Sequence, residues 1–142
     1  MQTKTPLPDD QHLCLLGSVT YICEWLAWAV ANLVQRLDPS NTHEELANCT
    51  LKNLSSIFTR VARDHGKGEH IQLASEFTAL AVTRNDVIHA FPATDAEGRQ
   101  FLYRWSPKRT PEVKWINDAM LEQFIAELDS LAVRVNIALH AP

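Results

Sequence analysis

Glycine is scarce in this chain, with only 4 glycines in 142 residues, and few dipeptides typical of tight hairpins occur. An all-β fold is therefore a weak hypothesis. Cysteine is also scarce: Cys14, Cys23 and Cys49 form no C-x-x-C pair. Their odd number argues against a disulfide framework and favours a reducing, cytoplasmic environment. We expect all three to be small buried apolar side chains.

The chain also lacks a glycine loop that could cradle phosphate and a cluster of metal-ligating residues, so we expect no cofactor and no metal. Positive charge is not in excess, because the formal net charge is −4. Any contact with nucleic acid must therefore come from a local basic patch.

One long apolar stretch, residues 13–34, is about long enough to span a bilayer and carries a single charge, Glu24. Polar residues interrupt it, and the acidic pair Asp9 and Asp10 precedes it where a membrane or signal segment would have basic residues. We therefore expect no membrane contact and interpret the stretch as the central helix of a bundle.

Apolar periodicity predicts one domain over residues 9–142, preceded by a flexible tail at 1–8. Thr42 and Glu45 form a capping-box pattern that begins the second helix, and Pro111 is suited to the first position of the fourth. Alternating residues around a turn at 95–98 predict a short β-hairpin within about 91–106. The expected fold is all-α, an antiparallel four-helix bundle with this hairpin between helices three and four. The predicted helices span about 10–37, 43–65, 69–90 and 111–139.

The segment R-N-D-V-I-H at residues 84–89 lies near the end of the third predicted helix. Arginine binds phosphate and histidine transfers protons near neutral pH, so Arg84 and His89 could cut RNA without a metal. Asn85 and His89 share a helix face, whereas Arg84 and His89 are roughly 140° apart around the axis. A two-fold dimer would bring two such pairs to one groove.

Arginine and histidine also occur at this spacing by chance. Arg84–His89 has the polar Asn85 after the arginine, lies deep in the third predicted helix, and directly precedes a basic hairpin. Arg60–His65 is the strongest rival, although solvated residues at a helix end explain it equally well. The pairs with four to six residues between the arginine and the histidine are Arg36–His43, Arg60–His65, Arg63–His70, Arg84–His89 and Arg134–His140.

The R-N-x-x-x-H motif, late in the third helix of a four-helix domain of this size, resembles the HEPN superfamily. Its members are compact, mostly dimeric helical bundles, and many are metal-independent RNases of toxin–antitoxin or defence systems. The resemblance implies a cytoplasmic, homodimeric endoribonuclease in which Arg84 and His89 are catalytic and Asn85 is their polar neighbour. It also implies an RNA substrate and an antitoxin or other associated protein. Some members are inactive, so the alternative is a non-catalytic dimerisation or binding module; a generic bundle with a chance motif is a third.

Basic and aromatic residues are interleaved between Arg99 and Lys114, a segment with a net charge of +4. Such a mixture suits single-stranded RNA. In the alternative, the rings cover the bundle while the arginines face water. The candidate RNA-binding residues are Arg99, Arg104, Lys108, Arg109, Tyr103 and Trp105.

Glu24 is isolated in the apolar first helix, and a buried carboxylate requires a partner. We hypothesise that it orients an arginine, with Arg84 as the candidate. The alternative is that it lies on an exposed helix face. Trp25 and Trp28 flank it, and they are either core residues or part of a dimer surface.

Overall fold

The computed structural model describes residues 6–106 and 112–142, in which five helices and three strands occur. Their order is α1 (Asp10–Leu37), α2 (His43–Ala47), α3 (Leu51–His65), α4 (Gly68–Ile88), β1 (Phe91–Thr94), β2 (Gln100–Ser106), β3 (Glu112–Ile116) and α5 (Asp118–His140). Residues 1–5 of the predicted tail lie outside the described part.

The first helix has the predicted bounds, 10–37. It begins after Asp9, whose side chain caps it by accepting a hydrogen bond from the His12 backbone N–H at 2.8 Å. The predicted second helix, 43–65, is wrong because it is two helices. The capping box of Thr42 and Glu45 is present, but it begins only the five-residue α2. Thr50 then caps α3 by accepting from the Asn53 backbone N–H at 3.2 Å. A second strong N-cap thus restarts the helix after residues 48–50.

The predicted fourth helix, 111–139, is also wrong at its beginning. Residues Glu112–Ile116 form β3, and α5 begins only after Asn117, whose side chain accepts from the Met120 backbone N–H at 2.9 Å. Val113, Trp115 and Ile116 are typical strand residues, and a partner strand was already available in β2. The predicted hairpin is therefore a three-stranded antiparallel sheet in the order β1-β2-β3.

The helix directions also contradict the predicted antiparallel bundle. α1 and α5 run the same way, because His12 Nδ1 lies 2.6 Å from Asp118 Oδ1 at their beginnings and Arg36 contacts the Leu139 carbonyl at their ends. The fold is mostly helical with a small sheet and is not a clean four-helix bundle.

α3 runs with α1 as well. Its first turn shares a cleft with the middle of α1, and His65 at its end lies 3.8 Å from Asp38. Only α4 runs the opposite way among the four long helices, as shown by the Glu76–Arg134 pair and by the proximity of Arg84 to Glu24. The segment after α1 causes this arrangement, because residues 38–50 return along α1 before α3 begins.

The core is a continuous apolar cluster that all the long helices share. Phe58 of α3 and Phe77 of α4 meet edge to face, with ring centroids 6.2 Å apart. The sheet joins this cluster through Leu102 and Ile116, which are paired across β2 and β3 and are both buried. The sheet therefore lies against the bundle by one face only.

α1 is long and apolar enough to cross a membrane by length and composition, with a mean hydropathy of 1.6 over its most apolar window. It is the one such helix in the described residues, and it is compatible with a soluble protein because core helices pass the same test. Its buried side packs on α3 and α5.

Candidate functional site

Arg84 extends from α4 toward α1, where its Nη2 donates a hydrogen bond to Glu24 Oε1 at 3.2 Å. The side chain of Arg84 is only 25% exposed, whereas that of Glu24 is 61% exposed. The hypothesised pairing of Glu24 with Arg84 is therefore present, but its premise of a buried carboxylate is wrong. The Nε atom of Arg84 is buried and has no hydrogen-bond acceptor among the described residues.

A cavity of about 420 Å³ opens beside this pair, between α1, α2 and the beginning of α3; we refer to it as the Arg84 cleft. His43, the first residue of α2, lines the cleft together with Arg84 and Glu24. No sequence pattern singles out His43 for this site, because it shares the cleft with Arg84 only through the return of the chain at residues 38–50. The remaining lining residues are Ala27, Trp28, Ala31, Leu46, Ala47, Cys49, Thr50, Leu51 and Leu54.

Asn85 and His89 are both exposed and do not line the Arg84 cleft. His89 caps the carboxyl end of α4, and its backbone N–H donates to the Asn85 carbonyl at 3.1 Å. Within one chain, Arg84 points toward α1, whereas Asn85 and His89 lie at the surface. The positions of Arg84 and His89 around the helix axis account for this difference in direction.

Asp86, within the same motif, anchors the sheet to α4. Its carboxylate accepts from Lys114 Nζ at 2.7 Å and from Arg104 Nε at 3.4 Å. The hydrogen bond that Lys114 donates to Asp86 raises the pKa of the Lys114 ammonium above its ordinary value. Asp86 therefore neutralises part of the basic segment. The signal in the sequence that could have predicted this contact is a carboxylate five residues before the hairpin begins.

The candidate RNA-binding residues fall into three groups. Arg104 is engaged by Asp86, and Arg99 Nε donates to Asp95 at 2.7 Å in the turn between β1 and β2. Hydrogen bonds from the backbone and side chain of Arg99 lower the pKa of the Asp95 carboxyl. Lys108 and Arg109 lie outside the described residues.

The third group is aromatic and lies on the outer face of the sheet. Tyr103 and Phe101 contact Trp115, with ring centroids 5.0 and 5.1 Å apart, and Trp105 is exposed on the same face. The predicted alternative, with rings covering the bundle and arginines in water, is wrong for the rings and for Arg104, whereas the Arg99 side chain is 75% exposed. Leu102 and Arg104 face the bundle instead, since successive residues of a strand point to opposite faces.

α1 carries a second exposed aromatic surface, which is formed by Tyr21, Trp25 and Trp28. Their spacing places them on one helix face with Glu24. Tyr21 is 74% exposed, and the rings of Trp25 and Trp28 lie 6.3 Å apart. We name this surface the α1 aromatic stripe. None of its three residues belongs to the core of this chain.

The cysteines depart partly from expectation. All three are free, but Cys14 is exposed and Cys49 is half-buried, so the expectation of three buried cysteines holds only for Cys23. Cys23 is buried beside the Arg84–Glu24 pair, and burial raises its pKa to about 11. Within residues 6–106 and 112–142, no group of three or more His, Cys, Asp or Glu side chains is arranged to hold a metal ion.

Comparison with protein-family models, with curated proteins and with solved structures finds no match for this chain.

Proposed function

We propose that this protein is a metal-independent endoribonuclease of the HEPN type, acting as a toxin or in a defence system. The observation that carries the proposal is the position of Arg84. Its guanidinium is held by Glu24 at the edge of a cleft, with a buried Nε that lacks an acceptor among the described residues. An arginine held in this way is suited to bind a phosphate oxygen.

In the proposed reaction, the ribose 2′-hydroxyl attacks the adjacent phosphorus and the bond from phosphorus to the 5′-oxygen breaks. One group accepts the 2′-hydroxyl proton, another donates a proton to the leaving oxygen, and positive charge stabilises the phosphorane. His89 is the proposed acid or base, Arg84 the phosphate ligand, and Asn85 the group that positions the RNA. The product ends in a 2′,3′-cyclic phosphate.

A homodimer is part of this proposal, because Arg84 and His89 of one chain point in different directions. The α1 aromatic stripe supports it: three exposed rings lie on the helix face that also carries Glu24, the partner of Arg84. Exposed aromatic surfaces of this kind are typical of protein contacts. A second copy packed there would bring two copies of the motif to one groove.

The outer rings of the sheet, Tyr103 and Trp105, are the proposed stacking surface for RNA bases. The proposed location is the cytoplasm, and a toxic RNase would require an associated neutralising protein.

A second candidate function is a non-catalytic binding module of the same fold type. It is favoured by the pairing of Arg99 and Arg104 with carboxylates, which leaves the described part of the sheet with an aromatic rather than a strongly basic outer surface. A surface of that composition fits a protein partner as well as RNA.

The test is RNA cleavage by the purified protein in excess EDTA. Wild type is compared with Arg84→Ala and His89→Ala, and the rival pair supplies matched controls, Arg60→Ala and His65→Ala, with all variants confirmed folded. The nuclease proposal expects cleavage that leaves a 2′,3′-cyclic phosphate, is lost in the first two variants and is kept in the controls. Cleavage by every variant would place the activity elsewhere, and no cleavage by wild type would favour the binding module.

A further inference from the structure

The Arg84 cleft contains a hydrogen-bonding side chain from outside the R-N-x-x-x-H motif. His43 lines the cleft from α2, and its side chain makes no hydrogen bond or ion pair with the described residues. Arg84 lines it from α4, and among the described residues its guanidinium donates only to Glu24, through Nη2, while its Nε atom is buried without an acceptor. Two donors from distant parts of the sequence therefore meet at one cavity, and neither is saturated by the protein.

The cavity of about 420 Å³ is large enough for a phosphate group and part of the attached sugar. Thr50 also lines it, at the N-cap of the 15-residue α3. The first backbone N–H groups of a helix have no acceptor within the helix, and they carry partial positive charge. The N-terminus of α3 therefore favours an anion in the cleft, as do the side chains of Arg84 and His43.

Glu24 is the opposing charge, because its carboxylate lines the same cleft. It engages Arg84 through Nη2, and it is more than half exposed, so water screens it. An anion that enters the cleft meets Arg84 from a different side or displaces this carboxylate. The other titratable side chains that line the cleft are Arg84, Glu24 and Cys49.

From these positions we infer that the Arg84 cleft is a binding site for the phosphate of a nucleotide, with Arg84 and His43 of the same chain as its ligands. The inference deepens the proposed function and rests on it for the identity of the substrate, because it states where the RNA phosphate binds. It also supplies a second imidazole from within one chain, in addition to His89. A protonated His43 would donate a hydrogen bond to a phosphate oxygen.

The first test is an NMR titration of the full chain with uridine 3′-monophosphate at constant ionic strength. We expect the His43 imidazole resonances to move when the nucleotide binds, because the phosphate would lie against the ring. Arg84→Ala should abolish this shift. Arg60→Ala, which replaces an exposed arginine at the other end of α3, should leave it unchanged. An unmoved His43 in wild type, or an equal response in Arg84→Ala, would overturn the site.

The second test uses Glu24→Gln, which keeps the shape of the side chain and removes the competing charge. We expect uridine 3′-monophosphate to bind roughly threefold more tightly or better, as loss of a screened surface charge pair permits. A residue that only supported the fold would not strengthen binding when replaced. Weaker binding by this variant would overturn the assignment.

The cleavage assay in EDTA separates this inference from the nuclease proposal. Nucleotide binding at His43 without RNA cleavage by wild type supports the site and overturns the nuclease. Cleavage by wild type with no response at His43 supports the nuclease and overturns the site.

Discussion

Arg84 and Glu24 are 60 residues apart in sequence, and their side chains meet at 3.2 Å between α4 and α1. The pair holds the arginine at the edge of its cleft rather than in the core. The pair positions Arg84 but contributes little to the free energy of unfolding, because the carboxylate is mostly in water.

Replacing Glu24 by Gln should therefore change stability little. We expect a loss of less than about 1 kcal/mol, as for other exposed ion pairs. Urea denaturation of wild type and variant measures it. A loss of several kcal/mol would mean that the pair is structural.

Replacing Asp86 by Ala should destabilise the protein more strongly. Asp86 is mostly buried and accepts from both Lys114 and Arg104, so its removal deletes the carboxylate to which both cations donate. We expect a loss of about 1–3 kcal/mol. Urea denaturation measures it, with Asp129→Ala on the exposed face of α5 as the control. Equal stability of the two variants would remove Asp86 as the anchor of the sheet.

Thiol reactivity should separate the cysteines at pH 8. Cys14 is exposed, whereas Cys23 is buried and its pKa is raised to about 11, so almost none of it is thiolate. Iodoacetamide followed by peptide mass spectrometry should find Cys14 alkylated and Cys23 unmodified in the native protein. Both should react in urea. Rapid native modification of Cys23 would contradict the packing of α1.

The Glu76–Arg134 pair between α4 and α5 should make stability depend on pH. The hydrogen bond from Arg134 lowers the pKa of Glu76 in the folded protein below 4.5. The contribution is therefore complete above pH 4.5 and is lost as pH falls through the folded pKa. Because both side chains are about one third or more exposed, it should be below about 1 kcal/mol. Glu76→Gln should be less stable than wild type at pH 7, and the difference should vanish in acid. If the stability difference between Glu76→Gln and wild type persisted at low pH, it would come from packing and not from the ion pair.

The α1 aromatic stripe should control self-association if the proposed dimer forms there. We expect the double variant Tyr21→Ser, Trp28→Ser to sediment as a monomer under conditions in which wild type is a dimer, because a dimer would bury both rings. Trp105→Ser on the outer face of the sheet is the matched control and should remain dimeric. The reverse result would move the interface to the sheet, and a monomeric wild type would refute the dimer.

Several local features could be predicted because they depend on neighbours in the sequence. The apolar rhythm of residues 10–37 and the capping box of Thr42 and Glu45 were enough to predict α1 and the beginning of α2. The alternating residues around β2 predicted a hairpin. The same local logic failed at residues 48–50 and 112–116. At residues 48–50 a second N-cap, Thr50, begins a new helix. At residues 112–116 pairing with β2 outweighs helix propensity.

By itself the sequence determined α1 and α4, the antiparallel pairing of β1 with β2, and an Arg84–His89 motif at the end of α4. Only the tertiary structure decided the parallel course of α1, α3 and α5, the inward orientation of Arg104, the contact of Arg84 with Glu24 and the position of His43 in the same cleft. Helix and strand formation follow from interactions a few residues apart. Direction and distant contacts follow from how the apolar faces are buried together, and no short pattern records that choice.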